Sequence, residues 1–191
     1  MFLAYDIPKY WPLTQPDMVA TGKLRNLGTN TCARQRGMLT NGDPAGMADC
    51  LTAGKFTLTW HEDIQPGDGT KTPNQCWDTE MEVNGHKSLV FWECHRGYGN
   101  QLYKYMKETK VSPSTEFYTP PNIYSQQIWN PGHHMCVGAK DDDQFIYLTH
   151  CDEDDPHQQW EWEEINDDVL ARVNNNMDAP GDAPPELDYV Q

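Results

Sequence analysis

A chain of 191 residues holds one domain of ordinary size, with or without tails. Fourteen Lys and Arg against twenty-nine Asp and Glu give a formal net charge of −15, which argues against nucleic acid as a partner, because an acidic surface repels phosphates. The longest apolar runs, such as Ser88-Leu89-Val90-Phe91-Trp92, are strand-sized and fall far short of the roughly 20 apolar residues of a membrane segment.

In chain order, MFLAYDIPKYWPL has no basic start and no unbroken apolar stretch, so it does not read as a signal peptide. Residues 1–21 read as a linker. MVATGKLRNLG is helix-like, and so is DDVLARVNNN near the other end. Between them the apolar runs KFTLTW, KSLVFWEC, QFIYLTHC and QWEWEEI have strand length and β-branched or aromatic content. From Asn166 the chain carries six acids, one Arg and three prolines, and residues 166–191 read as an acidic, disordered tail.

Six cysteines stand in three regular spacings: Cys32 to Cys50 and Cys76 to Cys94 are 18 apart, and Cys136 to Cys151 is 15 apart. Spacing alone leaves many connectivities open. Zinc sites bring two ligands within about two to four residues, and no pair here is that close. Three disulfides are therefore expected, and with them an oxidising compartment. That sits with the missing signal sequence if Met1 is an internal methionine of a longer secretory-pathway protein.

Each cysteine pair opens a similar unit: a polar turn, a Cys, about 15 residues, a second Cys, then a Gly/Asn/Gln-rich turn leading into an aromatic strand. The units span about 22–65, 66–109 and 122–165. The wider gap before the third unit falls in the Pro/Ser/Thr-rich segment Lys110 to Pro121, which reads as a surface loop insertion.

Gln158-Gln159-Trp160, Gln101-Leu102-Tyr103 and the aligned Phe56-Thr57-Leu58 together resemble the Gln-x-Trp repeat of the ricin-type β-trefoil lectin domain. The resemblance implies an all-β fold, a β-trefoil of three repeats with a six-stranded barrel capped by hairpins. Cys94-His95 followed by Gly99-Asn100-Gln101, with the linker-like start and GKLRN, is similar to one branch: the C-terminal lectin domain of the polypeptide N-acetylgalactosaminyltransferases, which begin mucin-type O-glycosylation. By that resemblance the compartment is the Golgi lumen. The manganese those enzymes use would belong to a catalytic domain outside this chain, and no cofactor is expected within it. Asp155-Pro156-His157 has the letters of their Asp-x-His metal motif but reads as a hairpin turn. The pairs His133-His134, Asp141–Asp143 and Asp152–Asp155 read as solvated turns.

The resemblance also implies how a sugar would be held. A carboxylate accepts from adjacent hydroxyls, a ring stacks on the apolar C–H face, and an Asn completes the polar set. The second unit carries all three in Asp78, Trp92 and Asn100, with His95, Tyr98 and Gln101 around them. The aligned residues are Arg34, Ala48 and Lys55 in the first unit, and Gly138, Thr149 and His157 in the third. One site for GalNAc or galactose, on glycans or O-glycopeptides, is thus expected in the second unit. Asp78 is expected at the surface, so that replacing it removes binding at little cost in stability. The competing expectation is a trefoil without sugar binding that serves as a structural or protein-interaction module.

Overall fold

The structure, a computed structural model, describes residues 18–68, 74–83, 86–95, 99–107, 126–140 and 145–174. The Lys110 to Pro121 insertion, the Asp141–Asp143 cluster, Tyr98 and everything before residue 18 or after 174 lie outside them.

Twelve strands occur among these residues, four to a unit. The first unit holds β1 (Met18–Asn26), β2 (Cys32–Gln35), β3 (Asp43–Ala48) and β4 (Phe56–Thr59). The second holds β5 (Ile64–Pro66), β6 (Gln75–Val83), β7 (His86–Glu93) and β8 (Lys104–Tyr105). The third holds β9 (Ile128–Asn130), β10 (Met135–Ala139), β11 (Ile146–Thr149) and β12 (Trp160–Ile165). Counting four strands to a unit puts β5 at the head of the second unit rather than the end of the first.

The outer strands of each unit make a ring. Ladders join β12 to β1, β1 to β4, β4 to β5 and β8 to β9. Backbone bonds from Tyr103 to Glu62 and from Trp160 to Gln126 span the two remaining joints. The inner strands form hairpins β2–β3, β6–β7 and β10–β11, which meet as a triangular cap through β3–β7, β7–β11 and a bridge from Gly46 to Phe145. This is the β-trefoil. A disulfide lies within each unit, Cys32–Cys50, Cys76–Cys94 and Cys136–Cys151, joining the two strands of each hairpin at its open end.

The core fills the ring with aliphatic and aromatic side chains from all three units. Leu58, Tyr103 and Trp160, the third letters of the three aligned triplets, are all buried. Trp77 packs at 5.5 Å from Phe56 and edge-on at 6.0 Å from Tyr103, so large rings from different units meet in the core. Trp160 donates its indole N–H to Val137 O at 2.9 Å, which satisfies the polar edge of that ring inside the core.

Two expectations are corrected at the ends. MVATGKLRNLG is strand, not helix: Val19 and Leu24 are fully buried, and β1 pairs with β2, β4 and β12 at once. Gly22, at φ +102°, sits where the β1–β12 register shifts, and a Cβ there would meet Glu163 at 2.6 Å. The tail is not disordered from its start, and the helix-like reading of DDVLARVNNN holds over its first eight residues. Asp167–Asn174 forms a helix, α1, with two acids in its first turn and Val169, Leu170 and Val173 buried in the main core. Apolar residues at that spacing share one helix face, so they join the core although two acids open the helix. No helix among the described residues is long and apolar enough to cross a membrane.

Candidate functional site

The three hairpins share one register, so equivalent positions can be read directly. The first cysteine of each unit faces Ala48, Trp92 or Thr149, and the residue two further on pairs Arg34 with Gly46, Asp78 with Val90 and Gly138 with Tyr147. Alternate residues share a face, so Asp78 and Trp92 lie together on one side of the β6–β7 hairpin, while Trp77 and Phe91 point the other way into the core. Trp92 is half-buried and outside the core cluster.

Immediately after Asp78 the ladder slips, with an extra residue on β6 before Met81 pairs with Ser88. Such bulges re-aim side chains. Here the freed Thr79 N–H donates to Asp78 Oδ1 at 2.7 Å, Asn100 Nδ2 donates to the same oxygen at 2.6 Å, and Gln101 Nε2 donates to Oδ2 at 2.7 Å. The His95 ring is exposed, its Nε2 4.0 Å from Asp78 Oδ2. Asp78, Trp92, His95, Asn100 and Gln101 are thus brought together. The expectation that Asp78 stands at the surface is wrong, because it is only 2% exposed and its carboxylate is turned inward onto three donors.

Gln101 does a second job that sequence alone did not reveal. It accepts from His95 N at 3.0 Å and donates to Glu93 O at 3.1 Å, bracketing Cys94. Gln158 repeats this in the third unit, accepting from Asp152 N at 2.9 Å and donating to His150 O at 3.0 Å around Cys151. The Gln of the motif therefore clamps the disulfide-bearing bend, and only in the second unit does it also reach a strand carboxylate.

The other units differ in physical detail. Arg34 and Ala48 supply neither acceptor nor ring, and Lys55 is exposed. In the third unit a Cβ at Gly138 would meet the Tyr147 ring at 3.3 Å, so the ring covers the place where a carboxylate stands in the second. Lys140 in turn lies 5.1 Å above that ring. Asp155-Pro156-His157 is a capped 3-10 turn: Asp155 Oδ1 accepts from His157 N at 2.9 Å and lies 3.0 Å from its ring Nδ1. Beside it a polar cleft of about 540 Å³ is lined by Thr149 to Asp155 and Gln158.

One residue outside the expected set reaches the second unit. His133, from the turn between β9 and β10, has its Nε2 2.5 Å from Thr79 Oγ1 and its Nδ1 3.0 Å from Lys87 Nζ. It is half-buried, which corrects its reading as part of a solvated turn. Burial, with Lys87 next, holds its pKa below the ordinary imidazole value, and Asp78 pulls the other way.

A family model described as the ricin-type beta-trefoil lectin domain matches residues 20–160. The chain belongs to that family. It is 30% identical over 184 residues to Polypeptide N-acetylgalactosaminyltransferase 10 of Homo sapiens, covering 91% of this chain and 27% of that protein. It is 22% identical over 184 residues to N-acetylgalactosaminyltransferase 6 of Drosophila melanogaster, covering 92% of this chain and 24% of that one. The chain therefore spans about a quarter of the length of these relatives. Among solved structures, GalNAc-T7 with UDP, GalNAc and Mn2+ superposes with a TM-score of 0.57 at 19% identity, over 85% of this chain and 25% of that one. A non-toxic homologue of type II RIPs from Momordica charantia, in complex with alpha-methyl-D-galactoside, gives 0.52 at 18% identity, over 76% and 48%. At these identities the two structures speak for the fold.

Proposed function

We propose that this chain is a carbohydrate-binding module that recognises GalNAc- or galactose-type sugars through its second unit. The observation that carries the reading is the Asp78 carboxylate, fixed by Thr79, Asn100 and Gln101 beside a half-exposed Trp92, in a constellation the other two units lack. A carboxylate has about four lone-pair directions, and three are taken, so it retains capacity for a hydroxyl on a ring stacked over Trp92. The relatives' names support GalNAc as the sugar, and O-glycopeptides that carry it are the ligands proposed here. In a longer transferase such a module would hold glycosylated acceptor near the catalytic domain. Disulfides form and persist in oxidising compartments, which supports the secretory pathway, and within it the Golgi lumen is the compartment proposed here.

Calorimetry with GalNAc tests this. One sugar per chain is expected at near-millimolar affinity, about −4 kcal/mol. A stoichiometry near two would bring in the third unit's cleft. A folded chain that is silent towards GalNAc, galactose and a glycan array would favour a structural or protein-interaction module instead.

A further inference from the structure

The turn that carries His133 has an equivalent one unit away, and the comparison separates what the fold requires from what has been added. In the first unit Asn26 Nδ2 donates to His157 O at 2.7 Å, and a Cβ at Gly28 would meet His157 N at 2.7 Å. In the third unit Asn130 Nδ2 donates to Asn100 O at 3.2 Å, and a Cβ at Gly132 would meet Gly99 O at 2.6 Å. Each turn thus seats its Asn and Gly on the polar turn of the preceding unit in the ring, and this much is architecture. The next residue differs. Thr29 bonds Thr31 within its own turn, whereas His133 crosses to Thr79 and Lys87 of another unit.

That crossing constrains the imidazole. Lys87 Nζ is a donor only, so His133 Nδ1 must accept from it, which leaves the proton on Nε2 to be donated to Thr79 Oγ1. Thr79 in turn is the residue whose backbone N–H holds Asp78 Oδ1. A chain of donors therefore runs from Lys87 through His133 and Thr79 to the carboxylate. A second proton on His133 would place an N–H against the Lys87 ammonium and set two like charges side by side.

We propose that His133, supplied by the third unit, is a positioning residue for the second unit's sugar site, and that its protonation loosens the site. The inference rests on the sugar-site reading above. The charged and titratable groups facing His133 are Lys87 on β7, Asp78 on β6 and His134 in its own turn. Lys87 and His134 oppose the imidazolium and Asp78 favours it, with burial added to the opposition. The neutral form thus persists below the ordinary imidazole range. Affinity should hold from neutral pH downward and fall as the medium becomes more acidic than that range.

The test is GalNAc affinity of the full chain between pH 7.5 and pH 4.5, for wild type, His133→Gln, His133→Ala and Thr79→Val, with thermal unfolding of each. Gln accepts from Lys87 and donates to Thr79 without titrating, so His133→Gln should bind like wild type at neutral pH and lack the acid-side loss attributable to His133. His133→Ala and Thr79→Val should weaken binding about threefold to tenfold at neutral pH, the span of one net hydrogen bond. Contributions from His95 and Asp78 are common to wild type and His133→Gln and cancel in their ratio. A ratio that stays constant across the range, or full affinity in a folded His133→Ala, overturns the inference alone. A wild type that binds no GalNAc at any pH overturns the sugar-site reading and this inference with it.

Discussion

Gln101 donates through Nε2 to Asp78 Oδ2 at 2.7 Å while its own carbonyl accepts from the backbone of His95 at 3.0 Å. The residue that marks the repeat is thereby the residue that holds the carboxylate. Gln158 keeps the backbone half of this arrangement, and its side chain also lies 3.3 Å from the Asp155 carboxylate in its own turn. The two glutamines therefore separate clamp from site. Gln158→Ala should cost about 1–3 kcal/mol of stability, since it leaves partly buried backbone groups without their side-chain partner, and leave GalNAc affinity unchanged. Gln101→Ala should cost a similar amount and also lose binding. Denaturant unfolding paired with calorimetry on both variants measures this, and equal losses of affinity would contradict it.

Asp78→Ala should remove sugar binding and also destabilise the fold. Truncation strands the Thr79 N–H, the Asn100 amide and the Gln101 amide, all directed at a 2%-exposed position. A loss of about 2–4 kcal/mol is expected, because unsatisfied buried donors carry their desolvation cost. Chemical denaturation checks it, and a variant as stable as wild type would mean these donors find water.

Trp92 and Trp77 sit on opposite faces of one hairpin and should behave oppositely. Trp92→Ala is expected to weaken GalNAc binding strongly with a stability change of about 1 kcal/mol or less, since the ring lies outside the core. Trp77→Ala, from a fully buried ring in contact with Phe56 and Tyr103, should cost about 3–5 kcal/mol. Unfolding curves on the pair distinguish the two roles. Wild-type affinity in Trp92→Ala would remove the stacking platform from the site.

Ending the chain after Asn166 should destabilise it. The deletion removes Val169, Leu170 and Val173 from the core, together with the Asn174 amide that donates to Tyr105 O at 3.1 Å. Each apolar side chain contributes about 1.5–3 kcal/mol when fully buried, so a loss of several kcal/mol is expected. The midpoint of thermal unfolding for chains ending at 166 and at 174 gives the answer directly, and identical midpoints would show that α1 is only docked.

Strand-length runs and the column Arg34, Asp78, Gly138 were legible from residue order, because cysteine spacing repeats and a strand carries its pattern with period two, and the trefoil class followed from the resemblance of the Gln-x-Trp repeat. The shared hairpin registers realise that column as one position of the cap hairpins. Three things needed the third dimension. Asp78 reads as a surface carboxylate, and only the bulge after it and the amide of Gln101, 23 positions on, turn it inward. The segment of α1 reads as helix-like within an acidic tail, and only packing against core residues far upstream shows that its apolar stripe is buried. His133 reads as half of a solvated His pair, and 54 residues separate it from Thr79. Sequence carries local periodicity and composition. Contacts between units depend on how the ring closes, which no window along the chain contains.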